Sequence, residues 1–271
     1  MNMPALLMLA STLLFASPPL PGVDVKNLDE GELAGLVTLL DEGACPCEPQ
    51  KSLLQCVQAK TCVEATALAS YGVTKIREGM SADQVVEAVV KKYVEEYVLY
   101  TFDVSRSPRK GPSDAKIVIV EFADFECPHC ALMVDVMKAV MAKHPQDVAV
   151  VFKQFPLPHH TQALKASKAA LAAHRQGKFW DMHDRIFANQ ASLSDSKLET
   201  FATELGLDLA RFKKDYDDPT VMSEIAADKK EAMAANIMGT PALYINGRMY
   251  IDEKSPEKIS EYILRLLKTT P

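Results

Sequence analysis

Hydrophobic and polar positions along the second half of the chain alternate between two rhythms. Ile117-Val118-Ile119-Val120-Glu121-Phe122 is a β-branched run that predicts a strand over 116–122, and residues 148–155 predict another. Between them Leu132, Val136, Met137, Val140 and Met141 recur at helical spacing, which predicts a helix over 131–144. No strand pattern occurs over 159–235. Helices are expected there instead, over 162–175, 179–188, 197–205, 209–216 and 221–235. Strand character returns at 242–245, and Asn246-Gly247 supplies a two-residue hairpin turn into 248–251. Ser255-Pro256 opens a last helix that ends near Leu267. The order is β-α-β, a helical block, then β-β-α.

Upstream the pattern is helical. One helix is expected over 28–40 and a second over 52–77, with Gly79 closing it. Ser81-Ala82-Asp83-Gln84 has the form of a capping box and opens a third, carried by Val85, Val86, Val89, Val90, Tyr93, Tyr97 and Val98. Residues 103–115 (DVSRSPRKGPSDA) have the composition of a linker. The expected organisation is therefore a helical domain over 24–102, a linker over 103–115 and an α/β domain over 116–271.

Residues 1–23 contain no charged side chain, and 5–16 are apolar apart from Ser11 and Thr12 before Pro18 and Pro19 break the run. This reads as a secretory signal, although a basic leading region is missing, or as an N-terminal anchor. Export to a periplasmic or other extracytoplasmic setting is expected. A net charge of -6 with no basic block gives no general attraction to nucleic acid. All six cysteines lie beyond the leader, and an even count in an exported protein favours pairing.

Cys127-Pro128-His129-Cys130 sits where the first predicted strand hands over to a helix. Backbone N–H groups at a helix start stabilise a thiolate, and a stabilised thiolate leaves readily from a disulfide. The chemistry expected is thiol–disulfide exchange, for which no metal or organic cofactor is needed. The same C-x-x-C could be half of a zinc site, but no second pair stands at suitable spacing.

This motif, followed by Gly239-Thr240-Pro241 before a β-hairpin, resembles the thioredoxin fold. Pro128-His129 and the helical block (about 159–235) narrow the resemblance to the DsbA-like branch, over about residues 114–268. The resemblance implies an α/β, thioredoxin-like fold with an inserted helical domain. It makes Cys127 the exposed nucleophile and Cys130 the partner that resolves the mixed disulfide. His129 would favour the Cys127 thiolate, and Pro241 would be cis, with a substrate strand pairing beside Thr240. Glu121 matches the family's buried acid beneath the disulfide, and Lys153 on the next strand is its candidate charge partner. Asp124 and Glu126 flank the motif and would oppose a thiolate by like charge. Trp180, His159 and His160 read as structural.

Cys45 and Cys47 lie in a turn and Cys56 and Cys62 on a predicted helix, where six residues' separation keeps the latter two off one stripe. Four cysteines allow three connectivities. Cys45 and Cys47 paired with Cys62 and Cys56, in either order, is the expected structural arrangement. A thiolate metal site and a second redox relay are the alternatives. Glu78-Gly79-Met80-Ser81 and the helix after it resemble the helical hairpin of CcmH-type cytochrome maturation proteins. Those carry C-x-x-C rather than C-x-C, so no function transfers.

The expected function is an exported oxidoreductase that introduces or exchanges disulfides in unfolded or reduced exported proteins, served by a membrane reoxidase or reductase. The competing readings are a disulfide isomerase or reductase oligomerised by the N-terminal domain, a metal- or haem-pathway thiol-binding module, and a holdase that binds chains around Pro241.

Overall fold

A computed structural model describes residues 18–269, which divide into one unit ending at Tyr97 and another beginning at Val98. Most of the stretch read as a leader, residues 1–17, lies outside the described residues. No helix among the described residues is long and apolar enough to cross a membrane.

In the first unit, α1 (Glu30–Glu42) starts at Asp29, whose carboxylate accepts from Glu32 N while Glu32 accepts from Asp29 N. Ser52 and Gln55 exchange the same pair of bonds at the start of α2 (Leu53–Ala59). Such reciprocal bonds satisfy amides that have no intrahelical acceptor. The single helix expected over 52–77 is in fact two. Lys60 turns the chain at φ 57°, and α3 (Val63–Arg77) restarts with Cys62 as its N-cap. The disulfides give the reason: Cys45 bonds Cys56 and Cys47 bonds Cys62. An unbroken helix would aim Cys56 and Cys62 in different directions, whereas the break lets both reach the 45–47 turn. α4 (Ala82–Tyr97) opens at the predicted capping box of Ser81 and Gln84. Leu36, Leu40, Leu53, Val57, Leu68, Val73, Val85 and Val89 form the core. Gly72 allows α3 its close approach, since a Cβ there would lie 3.0 Å from Leu36 Cδ1.

The second unit is built on a five-stranded sheet of order β1-β3-β2-β4-β5. Its strands are β1 (Arg109–Lys110), β2 (Ile117–Ala123), β3 (Val148–Gln154), β4 (Ala242–Ile245) and β5 (Arg248–Tyr250). β2 and β3 run parallel with Glu121 opposite Phe152, and the other pairings are antiparallel. One face carries Ile117, Ile119, Val150, Leu243 and Ile245 against α5 (Pro128–Lys143) and α11 (Pro256–Thr269). Val120, Phe122, Val151 and Tyr244 line the other face, against Ala232 of α10 (Pro219–Ala234). Between β3 and β4 run α6 (Ala163–His174), α7 (Phe179–Ala188), α8 (Asp195–Glu204), α9 (Leu209–Tyr216) and α10. Buried alanines at 163, 166, 169, 170, 172 and 173 let neighbouring helices approach α6 closely. Asn246 and Gly247, at φ 49° and 78°, make the hairpin turn that the sequence predicts. A Cβ on Gly247 would come within 2.5 Å of Tyr100 O, so that position excludes a side chain.

The expected linker over 103–115 is part of this second unit, and the division falls earlier, between Tyr97 and Val98. Arg109 and Lys110 pair with Val151 and Val150 as an edge strand. Upstream, Tyr100 and Phe102 meet Tyr244 edge-on at 5.1 and 4.8 Å, and Tyr100 N donates to Gly247 O. The Pro- and charge-rich composition belongs to a sheet edge, where both features discourage pairing with other chains.

Candidate active site

Strand β2 ends at Ala123, and the next four residues reverse the chain into α5. Cys127 is the N-cap of α5, Pro128 is its first residue, and Cys130 lies within the first turn. Proline suits that place because its fixed φ is helical and its missing N–H would have no partner. Both cysteines are free thiols. Cys127 Sγ donates to Thr240 O at 3.4 Å, across the Thr240–Pro241 bond, which is cis as the resemblance implied. Cys130 Sγ accepts from Asp124 N at 3.5 Å. The expected exposure of Cys127 is corrected: the residue is 5% exposed, against 1% for Cys130. Its sulfur lies against the loop that carries the cis bond. Pro128 and His129 are the exposed members of the motif, and Cys127 Sγ is bonded to Thr240 O rather than to His129.

Glu121 projects from β2 toward the α5 side of the sheet. It is 4% exposed, and burial pushes its carboxyl up to about 8. Burial likewise pushes the Cys130 thiol up, and the nearby Glu121 charge adds to the rise. Glu121 shares a cavity of about 20 Å³ with Lys110, Met133, Lys138, Trp180, His183 and Asp184. Such a volume has room for about one water molecule. His183 Nδ1 lies 2.9 Å from Asp184 Oδ1, and Lys138 Nζ is 2.8 Å from Asp184 Oδ2. Burial lowers the pKa of His183; Asp184, although burial opposes it, is held down to about 2 by His183 and Lys138.

Lys153 is not the partner of Glu121. Lys153 stands opposite Phe122 in the β2–β3 register, so its side chain leaves the sheet on the other face. There its ammonium donates to Asp228 at 2.9 Å, to Glu231 at 2.7 Å and to Asp103 O.

The acids beside the motif have structural duties. Asp124 is fully buried, and its two oxygens accept from Glu126 N and Leu157 N, both at 2.6 Å. Glu126 accepts from Gln162 N and Ala163 N at the start of α6, where the helix dipole favours an anion. Their charges are thus met by backbone amides, which weakens the expected opposition to a thiolate. His160 precedes α6 with Nδ1 2.9 Å from Asp124 Oδ2. Trp180 packs among Phe152, Phe179 and His183 and donates to Arg109 O at 3.2 Å.

One polar side chain escaped the sequence reading. Gln190 Nε2 donates to Phe125 O and to Cys127 O, both at 2.9 Å, and so ties down the turn into α5. Nothing local marks it, because its partners are more than sixty residues away.

In the first unit both disulfides join the residues expected to pair. The sulfurs of Cys45, Cys47 and Cys62 lie within 4.8 Å of one another, but held in disulfides they offer no thiolate to a metal.

The thioredoxin family model (Thioredoxin_4) matches residues 104–265. Curated relatives include the Na(+)/H(+) antiporter NhaA 3 of Salinispora tropica, 34% identical over 162 residues, which are 60% of this chain and 25% of that protein. The NhaA antiporter of Herminiimonas arsenicoxydans is 37% identical over 139 residues, 51% of this chain and 22% of that one. The chain spans about a quarter of the length of these relatives. Among solved structures, the thiol-disulfide exchange protein alpha-DsbA2 from Wolbachia pipientis superposes with a TM-score of 0.56 at 21% identity, covering 68% of this chain and 97% of that one. A thioredoxin-like oxidoreductase from Silicibacter pomeroyi DSS-3 gives 0.54 at 24% identity, covering 60% and 93%. At these identities the structures speak for the fold. A thiol pair at a strand–helix junction, a cis-proline loop opposite it and the family match over nearly all of the second unit lead to one assignment: the chain belongs to the thioredoxin family, with a DsbA-like fold.

Proposed function

We propose that the chain is an exported thiol–disulfide oxidoreductase that introduces or exchanges disulfides in protein substrates through Cys127 and Cys130. The observation that carries this is the placement of Cys127 Sγ at the start of α5, 3.4 Å from Thr240 O beside a cis peptide bond. The sulfur stands at the helix start, and the loop offers backbone groups with which an extended substrate can pair.

In the oxidised state a substrate thiolate attacks Cys127 Sγ, and the electron pair of the broken S–S bond passes to Cys130 Sγ. Burial disfavours a thiolate at Cys130, so that sulfur takes a proton. Glu121 is protonated below about pH 8 and supplies it. A second substrate thiolate then attacks the substrate sulfur of the mixed disulfide and expels Cys127. The substrate gains a disulfide, and the enzyme holds both electrons as the Cys127 thiolate and the Cys130 thiol. Reoxidation by a membrane partner returns the proton to Glu121 and completes the cycle.

The test is oxidative folding of reduced ribonuclease. Cys127→Ser is expected to abolish turnover, and Cys130→Ser, offered scrambled ribonuclease that already carries disulfides, to accumulate a mixed disulfide at Cys127. Trapping through Cys130, or full turnover by the Cys127→Ser protein, would sink the proposal. Recovery of scrambled ribonuclease without an added reductant would favour the isomerase reading.

A further inference from the structure

The helical unit holds four sulfurs for which the proposed cycle has no use. Cys47 is exposed, whereas Cys45, Cys56 and Cys62 are buried. The Cys47–Cys62 bond therefore presents one accessible end, and Cys45–Cys56 is shielded. The two bonds are also adjacent, with the sulfurs of Cys45, Cys47 and Cys62 mutually within 4.8 Å. Cys62 is the N-cap of the fifteen-residue helix α3 and makes no capping bond, the same position that Cys127 holds on α5. Glu64 Oε2 lies 3.1 Å from Cys47 Sγ and 3.4 Å from Cys62 Sγ. A disulfide has no hydrogen to donate, so this carboxylate gains a partner there only when the bond is reduced to thiols.

From this arrangement we infer that the helical unit is a second thiol–disulfide exchange centre, in which a protein dithiol attacks the Cys47–Cys62 bond and Cys45–Cys56 stands behind it. A thiolate of the dithiol attacks Cys47 Sγ, the exposed end. The S–S bond breaks and its electron pair passes to Cys62 Sγ, which departs as a thiolate at the start of α3, where the helix amides act against the like charge of Glu64 3.4 Å away. The second thiolate of the dithiol attacks its own partner's sulfur in the mixed disulfide and expels Cys47. Cys47 Sγ, the exposed end, takes up a proton from water and as a thiol hydrogen-bonds to Glu64 Oε2. The dithiol has lost two electrons to become a disulfide, and Cys47 and Cys62 have gained them. The Cys62 thiolate can next attack Cys45 Sγ, forming Cys45–Cys62 and releasing Cys56. That step is redox-neutral and moves the electron pair inward, so the two bonds together accept four electrons.

The test uses the full chain with Cys127→Ser and Cys130→Ser, so that its outcome is independent of the proposed catalytic pair. The oxidised variant is titrated with dithiothreitol, with free thiols mapped by alkylation and mass spectrometry and helicity followed by circular dichroism. The first thiols are expected at Cys47, with Cys62 or Cys56, while Cys45 stays in a disulfide and helicity is retained. The same variant is expected to oxidise a peptide dithiol. That stoichiometric oxidation should be lost on adding Cys47→Ser with Cys62→Ser and kept, for one dithiol per chain, with Cys45→Ser and Cys56→Ser. Simultaneous appearance of all four thiols with loss of helicity would mean that the bonds are staples and would overturn the inference. So would failure of the variant to oxidise the peptide. The order of alkylation decides the matter even if a further substitution unfolds the unit.

Discussion

Glu121 shows how burial alone sets a residue's chemistry. The folded chain holds its carboxyl at about 8, above the ordinary 4.5, so folding favours the protonated form. Its contribution to stability is greatest below pH 4.5 and is lost as pH rises toward 8. Glu121→Gln, which cannot ionise, is expected to be more stable than the parent at pH 7 by about 3 kcal/mol, with the gain fading toward pH 4.5. Urea unfolding at both pH values checks this, and an equal effect at both would contradict it. The same variant should slow release of Cys130 and flatten the pH dependence of exchange near pH 8, measured by stopped-flow with a peptide thiol. Glu121 was legible as a candidate site residue through the resemblance, because it matches the family's buried acid on the strand before the motif. Its surroundings were not. Lys153 looked like a partner until the register put it on the opposite face, and Lys138, His183 and Asp184 reach the cavity from two helices.

At the scale of elements, the entrance to α5 is held by side chains from far along the chain. Gln190 binds the carbonyls of Phe125 and Cys127. Gln190→Ala leaves both carbonyls without that donor and is expected to cost about 1–3 kcal/mol in chemical denaturation. It should also slow exchange at Cys127, because the turn that aims the sulfur is released. Unchanged stability and unchanged rate would show that the turn holds itself. The helices themselves were largely predictable from apolar spacing and capping residues, as α4 and α9 illustrate. The break at Lys60 was not, since residues 52–77 keep a helical pattern throughout. Only the disulfides to Cys45 and Cys47 require Cys56 and Cys62 to lie on separate helices.

For the whole molecule, the boundary between units decides which residues support the catalytic sheet. Phe102 lies in the second unit, edge-on to Phe122 at 5.0 Å and to Tyr244 at 4.8 Å. Phe102→Ala is therefore expected to destabilise that unit by about 2–3 kcal/mol, followed through its tryptophan, Trp180, in urea. A flexible linker would predict no change. Sequence by itself determined the α/β character of the second half, the helical character of the first and the thiol pair at a strand–helix junction, while the proline opposite it came from the family resemblance. The former rest on local periodicity, on turn chemistry and on residues whose reactivity is their own. Tertiary structure alone decided the face on which Lys153 emerges, the division after Tyr97, the clamp from Gln190, the order in which Cys45 and Cys47 pair with Cys56 and Cys62, and the amide partners of Asp124 and Glu126. Each of these depends on strand register or on contacts between distant segments. A buried polar group takes whatever partner the fold brings to it, and no local pattern encodes that choice.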